Sequence, residues 1–470
     1  MVDRITWGET NETVSAAERL GASRWIQIQL RPPQPTALPQ SVEAQIKSMR
    51  ISKEPMADIA MAMDAELKSA NHIQDAGARQ SALKAYQVAM QALQREATAR
   101  SLFYDLYSAN QLQERMTWFW LNHFNVQAEK RDIRAMIGDY EYNAIRPRAL
   151  GKFRDLLLAA ELHPAMLRYL DNDQNRLGHI NENYAREILE LHTLGVGSGY
   201  SQRDVEEMAK VLTGVGVNVS REEPQLTAEQ RRLYVRRGVM EFNPAKHDFG
   251  GKVILGREVS GDGLAELENA LDLLARQPAT ARHISGKLAL YFIGDAPPGL
   301  VQSMTERFLA TDGDIAEVLS VLFRSSEFRA SLGGKLKDPM HYTLSAVRLA
   351  YEGRPIDNAG PLQYWIERLG EGLYGRSTPD GYPLEDAYWS GPGQLINVFG
   401  VAHQIAAHVP GLFNNDAGNQ NPVLPQLRSS PLLTSRAPMF SAATSTTLTQ
   451  ARSPSEWNEL MLSSPDFLHY

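Results

Sequence analysis

The sequence predicts an all-α, bundle-like globular fold of many helices, with one small β-hairpin insertion near residues 215–260. Three observations carry this. Apolar residues recur at helical spacing along most of the 470 residues, Ala, Gln, Met and Leu dominate residues 41–110 with no β-branched run, and strand-like alternation with paired glycines is confined to 215–260. The chain divides accordingly into an N-terminal helical core (1–214), the β-rich insertion (215–260) and a C-terminal helical region (261–470) packed on the same core.

From Arg4 to Leu30 the pattern is a short loop and an amphipathic helix, and the prolines of RPPQPTALPQ form an extended connector. Residues 41–110 read as two long helices broken near Ala76 and Gly77. In 112–126, LQERMTWFWLNHFNV, large apolar groups point all round the helix from Met116 onward, so this helix is expected to be buried on every side. Asn122 and His123 sit among those groups, and a buried polar group without partners costs about 1 to 3 kcal/mol. Both must be hydrogen-bonded, either as satisfied core residues or as the lining of a polar site.

Unusual side chains concentrate in 171–193, DNDQNRLGHINENYAREILELHT. Tyr184, Ala185, Ile188, Leu189 and Leu191 fall on one half of a helix opening near Asn181, and Glu182, Asn183, Arg186, Glu187 and Glu190 on the other. His192 falls within the apolar half, which brings it into consideration with His123. In the preceding loop, Asp171, Asp173, Asn175, Leu177, His179 and Glu182 occupy positions 1, 3, 5, 7, 9 and 12 of a calcium-loop frame. Asp171, Asp173, Asn175 and Glu182 are the candidate metal ligands. Arg176 stands where such a loop needs Gly, and the other reading is that the acids end one helix while Asn181 or Asn183 caps the next.

Ser201 and Asp204 form the signature of a capping box after the Gly-rich break GVGSG. Helix–turn–helix DNA binding is rejected because Asp204, Glu206 and Glu207 crowd the start of the second helix. VGVNV, RRLYVRRGVMEFNP and VILGREV supply the predicted hairpins, with Lys246, His247, Asp248 and Lys252 near a tip; His247 beside Asp248 is either a polar turn or part of a site. Helices resume from Asp262. SGKLAL lacks the first Gly and the hydroxyl of a phosphate loop and is set aside. IAEVLSVLFRSSEF and WNELMLSSPDF echo each other without forming a repeat array. Residues 338–408 are helical around the loop YGRSTPDGYPLEDAYWSGPG, and 409–452, low in charge and rich in Asn, Pro, Ser and Thr, read as a surface loop.

The net charge of −7 leaves no basic footprint for nucleic acid. No run of about 18 apolar residues offers a membrane span. Cys is absent, which removes disulfides, thiolate nucleophiles and Cys metal sites. No charged and apolar leader precedes VDRITWGET, so an exported protein would have lost its signal peptide.

The runs RMTWFWLNHFNV, NENYAREILELHTLGV with YSQRDVEEMAKVLTG behind it, KHDFGGKVILG, ATARHISGKLALYF, PDGYP and LSSPDF resemble the bacterial family called domain of unknown function 1800. They follow the family's order from about Arg4 to Phe467. The resemblance implies a mostly helical, exported bacterial protein, periplasmic or secreted. It also implies a neighbour from the sulfatase-like domain-of-unknown-function 1501 family. Val215 stands where the family usually has Trp, and Leu121 where it often has His, which weakens a two-histidine metal site on that helix. Two functions remain in view. One is an exported hydrolase working on a surface polymer or glycan, with His123, Glu187, His247 and Asp248 in acid–base roles and Asn122, Arg186 and His192 binding substrate. The other is a non-catalytic binding or assembly partner whose 171–182 loop is stapled by calcium.

Overall fold

The computed structural model describes residues 1–33, 36–407, 411–413 and 424–470. Gln34 and Pro35 of the predicted connector, and 408–410 and 414–423 of the predicted surface loop, lie outside the described residues. Helix outweighs strand by 64% to 4%, which settles the all-α class.

Where two long helices are expected over 41–110, the chain forms four, Gln40–Ser48, Arg50–Lys53, Met56–His72 and Ala76–Tyr107, the last started by Asp75, whose carboxylate accepts from Ala78 N at 2.7 Å. The break before Ala76 thus falls where the sequence reading expects it. One contiguous apolar cluster runs from Val2 to Leu468 and draws on all three predicted regions. The all-round apolar helix Gln111–His123 lies inside it, with Met116, Phe119, Trp120 and Phe124 at or below 1% exposure.

The insertion holds two small antiparallel sheets rather than hairpins alone. β1 (Val215–Val217), β2 (Val235–Arg237) and β3 (Met240–Phe242) pair in the order β1-β3-β2, with both Val215 and Val235 opposite Phe242. Gly238, at φ +63°, makes the tight turn between β2 and β3. β4 (Val253–Ile254) and β5 (Arg257–Glu258) form the second pair.

Within the stretch read as a surface loop, Pro431–Arg436 and Ala442–Thr449 are helical. Ser441 caps the latter through Thr444 N at 3.2 Å, and Leu432, Leu433 and Leu448 are buried. A few buried leucines outweigh a polar composition, so low charge alone does not mark a loop.

The helices that frame the site come from distant parts of the chain. Gln111–His123 ends beside Pro278–Ile293, with the segment Glu182–Thr193 next to both. Arg115, wholly buried, ties this centre to the N-terminal turn by donating to the carbonyls of Arg4 (2.8 Å) and Thr6 (3.3 Å) and lying over the Tyr291 ring.

Candidate functional site

The helix of Gln111–His123 delivers His123 into an aromatic wall, 5.5 Å from the Trp120 ring centroid and 4.5 Å from that of Phe124. Burial, and then the positive charge of Lys287, hold its pKa well below the ordinary histidine value, so the ring is neutral. Nε2 lies 3.1 Å from the carbonyl of His192, and Nδ1 lies 3.0 Å from Nζ of Lys287. These partners assign the proton to Nε2, which donates to the carbonyl, and leave Nδ1 to accept from the lysine.

The receiving carbonyl lies at the C-terminal end of a helix, where the last carbonyls have no intrahelical donor; here Glu182–Glu187 continues as a π-helical turn, Ile188–Thr193, closed by Leu194 N to Leu189 O at 3.0 Å. π turns recur at functional sites. Here imidazoles supply the donors: His123 reaches the His192 carbonyl, and His283 Nδ1 reaches that of Thr193 at 2.8 Å. Gly195, at φ +92°, lets the chain turn away, and a Cβ there would come 3.2 Å from the His283 ring.

His283 and Lys287 stand four residues apart on Pro278–Ile293, hence on one face of that helix, and both are half-buried. Burial lowers the Lys287 pKa to about 8, against the opposing pull of Asp380 and Glu385. The pKa of His283 falls to about 4 for the same first reason. Glu187, half-buried nearby, has a raised pKa, again through burial, with His192 drawing it back down. Beneath them the His192 ring and Glu161 carboxylate, both fully buried, approach to 2.8 Å (Nδ1 to Oε1) without hydrogen-bond alignment. Lys287 and His283 are therefore the basic groups with access to solvent, whereas His123 and His192, at 1% and 0% exposure, cannot touch a substrate.

Asn122 does not bind substrate in this arrangement. Its amide is committed to the PDGYP loop, donating to Tyr382 O at 2.9 Å and accepting from Tyr382 N at 2.6 Å. Asn125 adds bonds to the carbonyls of Arg376 (3.0 Å) and Thr378 (2.8 Å). The pair holds this loop, with Asp380 on it, against the end of the His123 helix. Gly381, at φ +77°, permits the approach, since a Cβ would lie 2.2 Å from Asn122 O.

Of the residues singled out in the sequence, His123 and His192 come together, their ring centroids 6.2 Å apart; Glu187 feels the charge of His192, and the others lie elsewhere. Arg186 Nη2 points to Gln202 (3.0 Å) and Glu182 (3.4 Å), the exposed ladder at i,i+4. His247 and Asp248 belong elsewhere. His247, buried, lies 3.2 Å from Glu266 Oε2 and 2.7 Å from Thr213 O, and Lys252, also buried, completes the group at 2.8 Å from Glu266 Oε2. The partner of His247 is thus Glu266 from the helix Leu264–Ala275, while the adjacent Asp248 folds back to accept from Gly250 N at 2.8 Å.

The calcium-loop expectation also requires correction. Asp171 is taken by Lys130 at 2.7 Å, and Asp173 by Arg168 at 2.5 Å and Arg131 at 2.9 Å. The amide oxygen of Asn175 accepts from Asn181 N at 3.0 Å, and Glu182 accepts from Gln202 at 2.7 Å. Lys130, Arg131 and Arg168, from outside the frame, thus pair with both aspartates, while Asn175 and Glu182 take neutral donors. Among the described residues no group of three or more His, Asp or Glu side chains is disposed to hold a metal ion.

Sequence reasoning passes over Lys287, His283 and Glu161. The signal is present in ATARHISGKLALYF, where His and Lys recur at i,i+4 in an otherwise largely apolar helix. Matched only against a phosphate loop, the run does not disclose what its own face carries.

A family model described as "Protein of unknown function (DUF1800)" matches residues 1–469. No curated protein and no solved structure gives a significant match.

Proposed function

The chain belongs to the DUF1800 family, and we propose that it is an exported enzyme, a hydrolase that works on a surface polymer or glycan by acid–base chemistry centred on Lys287. The observation that carries the reading is the 3.0 Å contact between Lys287 Nζ and His123 Nδ1 in a desolvated but reachable position. A lysine with a pKa of about 8 exchanges its proton near neutral pH, as a general acid or base must. Neutral His123 accepts one of its hydrogens and fixes where Nζ points, so His123 is a positioning residue rather than a catalytic one. His283 keeps Nε2 free of a hydrogen-bond partner among the described residues and, being neutral at pH 7, can take a proton from an attacking water. Glu187, with its raised pKa, is assigned as an additional acid in this reading. Perturbed groups gathered in one place mark a functional-site candidate.

The test is a panel of chromogenic glycosides and esters, with cell-wall polysaccharide as polymer. Lys287→Met should abolish turnover while the protein stays folded, and His123→Gln should shift the pH–rate profile more than it changes KM. Equal activity of both variants and the wild type would end the proposal.

A second reading, a non-catalytic assembly partner of a sulfatase-like protein of the 1501 family, is favoured by one observation. The helix Pro392–Ala406 exposes Leu395, Ile396 (68%) and Phe399 (50%), with Tyr388 exposed shortly before it. Scattered apolar residues are ordinary, but such a stripe on one helix suits a protein partner. Loss of association with that neighbour in Ile396→Asp, with no enzymatic activity in the wild type, would favour it.

A further inference from the structure

Far from the Lys287 centre, a cavity of about 520 Å³ opens between the helices Asn11–Leu20 and Ala22–Leu30, the end of Ala76–Tyr107 and the helix Pro339–Ala350. This is within the size range of small-molecule sites. Trp25, Ile28, Leu106 and Val347 give it an apolar wall. Polar groups including Gln29, Glu12, Glu352 and Arg354 complete the lining, and Arg348 stands beside the apolar wall at 8% exposure.

Arg348 is held by backbone carbonyls alone. Nε donates to Gly8 O at 3.3 Å, and Nη1 to Leu106 O and to Asp105 O at 3.4 Å. Among the described residues no carboxylate forms an ion pair with it. The nearby Asp105 is engaged by Trp7 Nε1 at 2.9 Å and has a pKa well above the ordinary value through burial. Nη2 has no hydrogen-bond partner among the described residues, yet is not one of the sealed, orphaned atoms of the interior, so it opens on the cavity. Desolvation accordingly brings the Arg348 pKa down to about 10. Two acids line the rim: Glu352, whose charge acts on Arg348, accepts from Asn11 Nδ2 at 2.5 Å and from Glu12 N at 3.0 Å, and the Glu12 side chain is exposed. Tyr107 accepts from Ile356 N at 2.8 Å, and its own hydroxyl hydrogen has no acceptor among the described residues.

A buried guanidinium with no carboxylate in direct contact is costly, and a bound anion would lower that cost. We propose that this cavity binds an amphipathic carboxylate, its apolar body between Trp25, Ile28, Leu106 and Val347 and its anionic head on Nη2 of Arg348. The Tyr107 hydroxyl is available as a second donor. Arginine favours such a head because a charge-assisted hydrogen bond is stronger than a neutral one.

The experiment is calorimetric titration of the whole chain with dodecanoate, dodecan-1-ol and dodecylamine, each below its aggregation threshold. Dodecanoate should bind, with the alcohol and the amine weaker by about tenfold or more, the worth of one charged hydrogen bond. Ala16→Phe places a ring in the cavity from a half-exposed helix position and should abolish binding without unfolding the chain. Arg348→Gln should erase the preference for the carboxylate; if that variant fails to fold, the three head groups and Ala16→Phe decide the matter. No binding of dodecanoate, equal binding of all three compounds, or unchanged binding in Ala16→Phe would each overturn the proposal.

Discussion

Lys287 and His123 are 164 positions apart in sequence, and the fold sets Nζ of one 3.0 Å from Nδ1 of the other. The carbonyl of His192, on a π-helical turn, holds the far side of the same imidazole at 3.1 Å. Lysine, imidazole and π turn form one connected unit, and its ionisation should be visible in stability as well as in activity.

Between pH 8 and the usual lysine value of 10.5 the unfolded chain keeps a proton that folded Lys287 has released. Unfolding then takes up protons, so this group makes stability rise with pH across that window. Lys287→Met should flatten the rise and, by removing a desolvated charge, raise stability at pH 7 by about 1 kcal/mol. Urea melts at several pH values check both.

His123 is held neutral in the folded state, with a pKa well below the ordinary histidine value of 6.5. As pH falls below 6.5 the unfolded chain gains a proton the folded ring refuses, so stability falls with acidification. His123→Gln, which keeps a donor and an acceptor, should reduce that acid sensitivity below about pH 6.5, where the unfolded histidine is protonated and the folded ring is not. Denaturant midpoints measured over this range would show no difference if His123 did not contribute.

The 171–182 loop should melt at the same temperature with and without millimolar calcium. Asp173→Ala should destabilise the chain by about 3 kcal/mol, because Arg168, at 10% side-chain exposure, would lose its closest carboxylate. A calcium-dependent rise in Tm that Asp171→Ala removes would restore the metal loop.

Glu266→Gln should cost about 3 to 5 kcal/mol by leaving buried Lys252 and His247 without their carboxylate. Asp248→Asn should stay within about 0.5 kcal/mol. The reverse order, read from thermal melts, would mean that His247 pairs with its sequence neighbour after all.

What is legible in the sequence is what acts locally. Helix periodicity places the break before Ala76, the capping box of Ser201 with Asp204 is formed with Asp204 N to Ser201 Oγ at 3.3 Å, and Asn181 caps its helix through Asn183 N at 3.1 Å. The convergence of His123 with His192 follows from both being polar groups on apolar helix faces. The rest is decided by distant partners. Lys130, Arg131 and Arg168 lie outside the twelve-residue frame, so spacing alone suggests a cation site whose aspartates they pair with instead. Glu266 displaces Asp248 as the partner of His247 because a helix from further along the chain packs there. The carbonyls that receive His123 and His283 are free because the helix ends at Thr193, and which distant side chains reach them leaves no trace in periodicity.

The central claim, that Lys287 is a basic group poised near neutrality, is tested most directly by competitive acetylation with trace acetic anhydride across about pH 6 to 11, reading each lysine-bearing peptide by mass spectrometry. The Lys287 peptide should reach half its maximal reactivity near pH 8, below the surface lysines, and His123→Gln should displace that midpoint. A Lys287 midpoint at the ordinary lysine value of 10.5, unmoved by His123→Gln, would contradict the account.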